Sequence, residues 1–341
     1  MLGNTSLHHD NAAVLSVQAV DGPETVPSTA FDERLTGTYE RLGMRAGLLE
    51  EVAGIIERRW WPADTLFSDA AAMAGEKAIE AAGIDRSRIG LLVDTSVSRD
   101  HLEPSASVAV HAKLGLATSC LNFDLANACL GFVNAMSLAA TMIDAGQIDY
   151  ALIVDGEGSR ALQEKTLDRL AQASTTVEDV FQEFASLTLG SCGAAMVIGR
   201  ADHHPEGHRI IGSESRAGSE HHTLCVGTME QMRTDTKALL EAGLDVAEAT
   251  WTAAQRNGWD WAAMDHYIMH QVSAIHTTLM CKRLGIEPDR APLTFPTRGN
   301  VGPAAIPLTM ALYQDDFKAG DRMVLCGIGS GINTTATELL W

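Results

Sequence analysis

Asn122-Phe-Asp-Leu-Ala-Asn-Ala-Cys129 and Leu293-Thr-Phe-Pro-Thr-Arg-Gly-Asn300 occupy equivalent places in a chain that repeats itself once. Each reads as a strand giving way to a tight turn, then a long apolar helix, then a strand that begins with Asp: Asp149-Tyr-Ala-Leu-Ile-Val-Asp-Gly156 and Asp321-Arg-Met-Val-Leu-Cys-Gly327. Upstream, Ile89-Gly-Leu-Leu-Val-Asp-Thr-Ser-Val-Ser98 and His266-Tyr-Ile-Met-His-Gln-Val-Ser273 each precede a helical stretch. These stretches close on Lys113-Leu-Gly-Leu116 and Arg283-Leu-Gly-Ile286, with Gly as the stop. Strands alternating with helices imply an α/β fold of mostly parallel, doubly covered sheets. The two halves are expected at 1–205 and 206–341. Their linker is placed between Arg200 and His222, where Asp202-His-His-Pro-Glu-Gly-His208 and Gly218-Ser-Glu-His-His222 concentrate turn formers.

Composition narrows the function. The 341 residues are 46% apolar and 20% charged, enough to bury a large core, and 25 Lys and Arg against 44 Asp and Glu leave a charge of −19. Such acidity argues against nucleic acid or an anionic membrane as partner, because those surfaces need a basic footprint. No Lys or Arg precedes Arg34, so a secretory n-region is not expected and the chain is placed in the cytoplasm. The stretch from Leu125 to Ile143 contains Asn127, Asn134, Ser137 and Thr141 between Asp124 and Asp144, and reads as a buried helix, not a membrane span. Six cysteines without any CxxC are neither a zinc pattern nor a disulfide framework. The histidines at 203, 204, 208, 221 and 222 read as a solvated loop; no metal site is expected. No GxGxxG follows a strand and no P-loop occurs, so no nucleotide cofactor is implied.

Cys129 falls where a strand yields to a helix. With Asn127 as N-cap, it lies in the first turn, where free backbone N–H groups and the helix dipole favour thiolate. A small core residue at a helix start is the plain alternative. His270 ends the run Tyr267-Ile-Met-His270, and Asn300 lies in Gly299-Asn-Val-Gly-Pro303. Strand carboxyl ends line the ligand crevice in such folds, so the three together read as nucleophile, proton carrier or donor, and donor to a carbonyl. Taken singly, the His reads equally as a structural residue and the Asn as a turn former. Gly327-Ile-Gly-Ser-Gly331 follows a buried strand and offers a backbone N–H near Gly329 or Ser330 as a second oxyanion donor beside that of Cys129; plain packing is the alternative.

In that order, Asn127-Ala-Cys-Leu-Gly-Phe132, the His270 strand, Gly299-Asn-Val-Gly-Pro-Ala304 and Gly327-Ile-Gly-Ser-Gly331 resemble the thiolase superfamily. Within it they resemble the ketoacyl-ACP synthase III-like enzymes, and most of all the OleA-type acyl-CoA condensing enzymes of bacterial long-chain olefin biosynthesis. The resemblance runs from about Gly54 to the C-terminus. It implies two duplicated, pseudo-symmetric halves packed as αβαβα layers.

The segment Ser96-Val-Ser-Arg-Asp-His-Leu-Glu-Pro-Ser105 separates two chemistries. A ketoacyl-ACP synthase III forms its carbanion by decarboxylating malonyl-ACP and needs no base. Joining two acyl thioesters does need one, and the resemblance implies that Glu103 is that base, reaching the site of the neighbouring subunit of a homodimer. Taken alone, Glu103 before Pro104 reads as a solvated loop ahead of a helix starting at Pro104. The role requires apolar surroundings that raise the carboxylate's pKa.

The implied reaction is a non-decarboxylative Claisen condensation of two long-chain acyl-CoA molecules to a 2-alkyl-3-keto acid through an acyl-Cys129 intermediate. Downstream enzymes of a hydrocarbon pathway would consume the product, and CoA thioesters are the substrates with no cofactor. The alternatives are decarboxylative condensation with malonyl-ACP, a condensing subunit for a β-lactone product, and thioester hydrolysis. For the CoA phosphates of an acidic protein, Arg58 and Arg59 are the candidate cations, with Trp60 to stack on adenine and Phe132 as a pocket wall. Ordinary surface arginines beside a half-buried Trp, and a Phe in the core, are the alternatives.

Overall fold

A computed structural model describes residues 6–341; residues 1–5 of the expected first half lie outside the described residues. Nine strands form one continuous mixed sheet, and a short tenth, Ser6–His8, adds to the His208–Ala217 strand. From one edge the order is His266–Met269, Arg322–Gly329, Asn333–Leu340, His208–Ala217, Ala12–Asp21, Cys192–Arg200, Tyr150–Glu157, Ile89–Asp94, Leu121–Asp124.

The repeat seen in the sequence is visible in strand direction. Outward from the centre, each half runs through two antiparallel pairings and then a parallel one. The seam is narrow: only Ala13 with Arg209 and Val14 with His208 pair across it.

Helices complete a five-layered thiolase-like arrangement. Phe67–Ala82 covers the outer face of the first half-sheet, and Thr236–Arg256 covers that of the second. Gly131–Asp144 lies between the halves, touching strands of both, and Ala305–Tyr313 packs beside it. Phe132, Val133, Ala135, Met136, Ala139, Ala140 and Ile143 lock the central helix into the largest core cluster. Complete burial of large side chains at about 1.5–3 kcal/mol each makes this layer the rigid support of whatever precedes Gly131. The apolar stretch is therefore a buried core helix, and no described helix is long and apolar enough to cross a membrane.

Two expectations need correcting. The segment from Leu293 makes no strand: Phe295–Arg298 is a single helical turn, so the second half lacks the partner of Leu121–Asp124. Prolines at 292 and 296 remove backbone donors that a ladder would require. The Gln271 side chain supplies the bonds instead, its Oε1 accepting from Thr294 N at 2.8 Å and its Nε2 donating to the Pro292 carbonyl at 2.9 Å. The region between Arg200 and His222 is also not all linker. Only 201–207 and the short turn at 218–222 are irregular, and His208–Ala217 is a full ten-residue strand.

The linker histidines have ordinary partners. His204 contacts Glu206 and Tyr150, and His208 stacks on Trp341. Among the described residues no three His, Cys, Asp or Glu converge as metal ligands.

Candidate active site

Cys129 stands two residues ahead of the helix Gly131–Asp144, at an elbow rather than in the first turn. Ala128 makes the elbow, with φ of 45°, a conformation that costs a non-Gly residue about 1–3 kcal/mol and persists only where neighbours over-determine it. They do so here. Leu130 N donates to Asn127 O at 3.0 Å, Asn127 Nδ2 to Asn134 Oδ1 at 2.7 Å, and Asn333 Nδ2 to Asn127 Oδ1 at 3.2 Å. Asn127 is thus a brace for the elbow and not the expected N-cap; the helix has Leu130 at that position without a side-chain cap.

The electrostatics also differ from expectation. Burial, followed by the carboxylate of Glu157, pushes the Cys129 thiol above its ordinary value. A helix end within a turn's reach favours thiolate modestly, whereas desolvation and nearby negative charge both oppose it, and they win. Cys129 rests as a thiol.

His270 and Asn300 lie on the second half, and both are buried. His270 follows the strand His266–Met269, its N–H donating to the Cys326 carbonyl at 2.9 Å. Burial, reinforced by neighbouring His276 and partly offset by a hydrogen bond to the Gly302 backbone, pulls its pKa down to about 3. The imidazole is neutral near pH 7.

Asn300 is laced to the first half. Its N–H donates to Thr188 O at 2.8 Å, its carbonyl accepts from Gly190 N at 2.9 Å, and its Oδ1 accepts from Gly302 N at 3.0 Å. That last bond fixes the amide orientation and leaves Nδ2 to donate.

The glycine-rich turn comes to the same elbow. A Cβ at Gly329 would lie 2.7 Å from Asn127 O and 3.2 Å from Leu130 N, so only glycine lets this strand end approach the nucleophile's turn. Ser330 follows it at the turn.

Glu103 is on the exposed part of the 97–105 loop, with Leu102 86% exposed beside it. The next helix is Ala106–Leu114 with Ser105 before it, so Pro104 does not begin it.

The residues expected to hold CoA are elsewhere. Arg58 is fully buried, donating to Leu187 O at 3.1 Å and lying 4.3 Å over the Phe31 ring; burial lowers its pKa to about 10. Trp60 is in the same core, Nε1 donating to Gln163 Oε1 at 2.6 Å. Arg59 is spent on Glu57 and Thr25. Phe132 is fully buried in the central core cluster. Alternation along the strand Glu57–Trp60 turns Arg58 and Trp60 inward together, which the motif alone does not reveal.

Sequence reading missed a group of buried acids. Asp94 and Asp155 approach the end of neighbouring strands, and Glu157 closes the latter strand. Burial raises all three, Asp94 to about 6 and Glu157 to about 7, with Asp155 well up. The available signal was two apolar runs, Ile89–Val93 and Ala151–Val154, each ending in an acid.

A duplicated five-layered fold with a cysteine at a braced elbow ahead of its central helix defines a thiolase-fold enzyme. The sequence pattern of the 3-oxoacyl-[acyl-carrier-protein] synthase III family matches residues 123–219, and that of its C-terminal region matches 254–341. The acyl-CoA:acyl-CoA alkyltransferase of Xanthomonas campestris is 42% identical, covering 97% of this chain and 99% of its own. That of Shewanella oneidensis is 32% identical over 94% of this chain and 95% of its own. Xanthomonas campestris OleA solved with bound lauric acid and lauroyl-CoA superposes with a TM-score of 0.95 at 42% identity, over 98% of this chain and 100% of that one. The chain belongs to this family of synthase III-like acyl-CoA:acyl-CoA alkyltransferases.

Proposed function

We propose that the protein joins two long-chain acyl-CoA molecules by non-decarboxylative Claisen condensation, giving a 2-alkyl-3-keto acid. The observation that carries this reading is the joint presence of Cys129 at a braced elbow, His270 and Asn300 on the facing half, and Glu103 on an exposed loop. The solved relatives support the assignment. Xanthomonas OleA has been solved with substitutions at one cysteine, one histidine and one glutamate. The spacing from that glutamate to that cysteine equals the spacing from Glu103 to Cys129, and the spacing on to the histidine exceeds that from Cys129 to His270 by one residue.

Cys129 Sγ attacks the thioester carbonyl of the first acyl-CoA, the thiol proton leaves with CoA as its free thiol, and the acyl group stays on sulfur. The backbone N–H groups of Cys129 and of Gly329 or Ser330 face the oxyanion. Glu103 of one subunit removes an α-proton from the second acyl-CoA in the site of the other. Its carbonyl is polarised by His270 and by Asn300 Nδ2. The carbanion attacks the acyl-Cys129 carbonyl, sulfur departs, and water cleaves the remaining CoA thioester. An exposed Glu103 in the single chain fits a base that is completed by a homodimer. The reaction needs no metal or redox cofactor, and the product passes to further enzymes of hydrocarbon synthesis in the cytoplasm.

Decarboxylative condensation with malonyl-ACP is the second reading and leaves Glu103 without a task. Purified protein with myristoyl-CoA is expected to give a β-keto acid, or its ketone, of doubled chain. Glu103→Ala is expected to keep the acyl adduct on Cys129 by mass spectrometry while losing condensed product at least 100-fold, about the lower end of what a positioned base contributes. Fatty acid as sole product, or CO₂ release from malonyl-ACP with wild-type protein, refutes the reading.

A further inference from the structure

Glu157 touches two parts of this site and acts electrostatically on a third, none of which it belongs to by sequence. Its Oε1 accepts from Val97 N at 2.6 Å, and its Oε2 from Ser98 Oγ at 2.6 Å, with Ser98 N bridging both at 3.3 Å. These bonds hold the start of the loop that carries Glu103. On another side the carboxylate fits under Gly302, where a Cβ would lie 3.6 Å from Glu157 Cδ. Gly302 is the residue held by Asn300 Oδ1 and hydrogen-bonded to His270. Finally, Glu157 is the strongest charged influence on the Cys129 thiol after burial itself.

We propose that Glu157 is a positioning residue that anchors the Glu103 loop and the Gly302 turn beside His270 and Asn300 through one buried carboxylate. The assignment rests on the condensation reading above.

A buried carboxylate with three donors on one loop is directional, and loss of those bonds frees the loop without unfolding the strand. Other titratable groups face Glu157: Asp94 on the adjacent strand, Asp155 on its own, and Cys192 on the strand paired with it. Cys129 lies before the central helix, and His270 stands behind Gly302. The ion pairs Arg99–Asp124 and Arg298–Asp21 lie at the margin.

Two variants test the assignment in the full-length enzyme. Glu157→Gln keeps the shape, removes the charge and breaks one side of the anchor. It is expected to keep myristoyl transfer to Cys129, lose condensation about tenfold or more, and move the pH midpoint of Cys129 alkylation by iodoacetamide down by about one unit. Ser98→Ala cuts only the loop tether. It is expected to lose condensation about fivefold, with transfer to Cys129 and its alkylation midpoint unchanged. Condensation and alkylation profiles in Glu157→Gln that match wild type overturn the inference. Failure of wild-type protein to form the acyl-Cys129 adduct overturns the condensation reading instead, so the two failures are told apart by the unsubstituted enzyme.

Discussion

Replacing Arg58 by Met separates a structural arginine from a phosphate-binding one. Arg58 has no exposed surface; its guanidinium donates to Leu187 O at 3.1 Å and Val26 O at 3.5 Å and lies 4.3 Å over Phe31. Methionine preserves the apolar stem and leaves the Leu187 carbonyl without its donor. One good charged hydrogen bond contributes about 1.5–3 kcal/mol, and a desolvated cation over a ring about 2 kcal/mol. The longer bond to Val26 adds little. Against this, the cost of burying the guanidinium disappears, while Asp32, whose pKa its own burial raises, loses a nearby cation. The net loss expected is about 3 kcal/mol, or about a 100-fold rise in the unfolded population. In urea the first unfolding transition should move down by about 1 M for a slope near 3 kcal/mol per M. The KM for myristoyl-CoA should stay within about twofold, since Arg58 is remote from solvent. An unchanged urea midpoint together with a KM raised tenfold would refute the structural role and return Arg58 to the phosphates.

Gly329→Ala is expected to lower acyl transfer to Cys129 by at least tenfold with little change in overall helix content, because the added methyl meets Asn127 O at 2.7 Å and displaces the elbow; wild-type transfer rates would count against the close approach. The buried imidazoles predict an acid-sensitive stability. Burial holds His270 down to about 3 and His276 to about 4, from 6.5, so as pH falls below 6.5 the unfolded chain binds these protons first and stability is lost toward pH 4. The raised carboxylates Asp94 and Glu157 act in the opposite direction, losing stability as pH rises through about 6 and 7, so the comparison must be between variants. His276→Asn should narrow its stability gap to wild type between pH 6.5 and 4.5 in urea titrations; a constant gap would show that His276 keeps its ordinary titration.

The duplicated order of strands and helices was legible because it depends on local periodicity, and residues 266–273 and 321–327 carry that signal as plainly as 89–98 and 149–156. It failed at 293–300, where prolines and a side chain from Gln271 replace a ladder. Cys129, His270 and Asn300 were readable for a related reason: each stands where an apolar run breaks before a Gly-rich or helical stretch. Arg58, Trp60 and Phe132 were misplaced because a sequence motif does not say which face of a strand or helix turns inward. The three acids escaped notice because burial, not residue type, makes them unusual among 44 acidic residues.

By itself, then, the sequence determined the α/β class, the internal duplication and the candidate nucleophile, His and Asn, since strand-turn-helix order and turn chemistry act over a few residues. Tertiary structure alone decided the protonation of that nucleophile and the surroundings of its partners. Thr188 and Gly190 meet Asn300, and Glu157 meets Gly302, across long stretches of chain, and the thiol's state is set by desolvation and by charges that only folding brings near. A local helix terminus predicted thiolate; burial reversed it, with neighbouring Glu157 adding to the effect, because the desolvation of a charged sulfur outweighs the dipole of a turn.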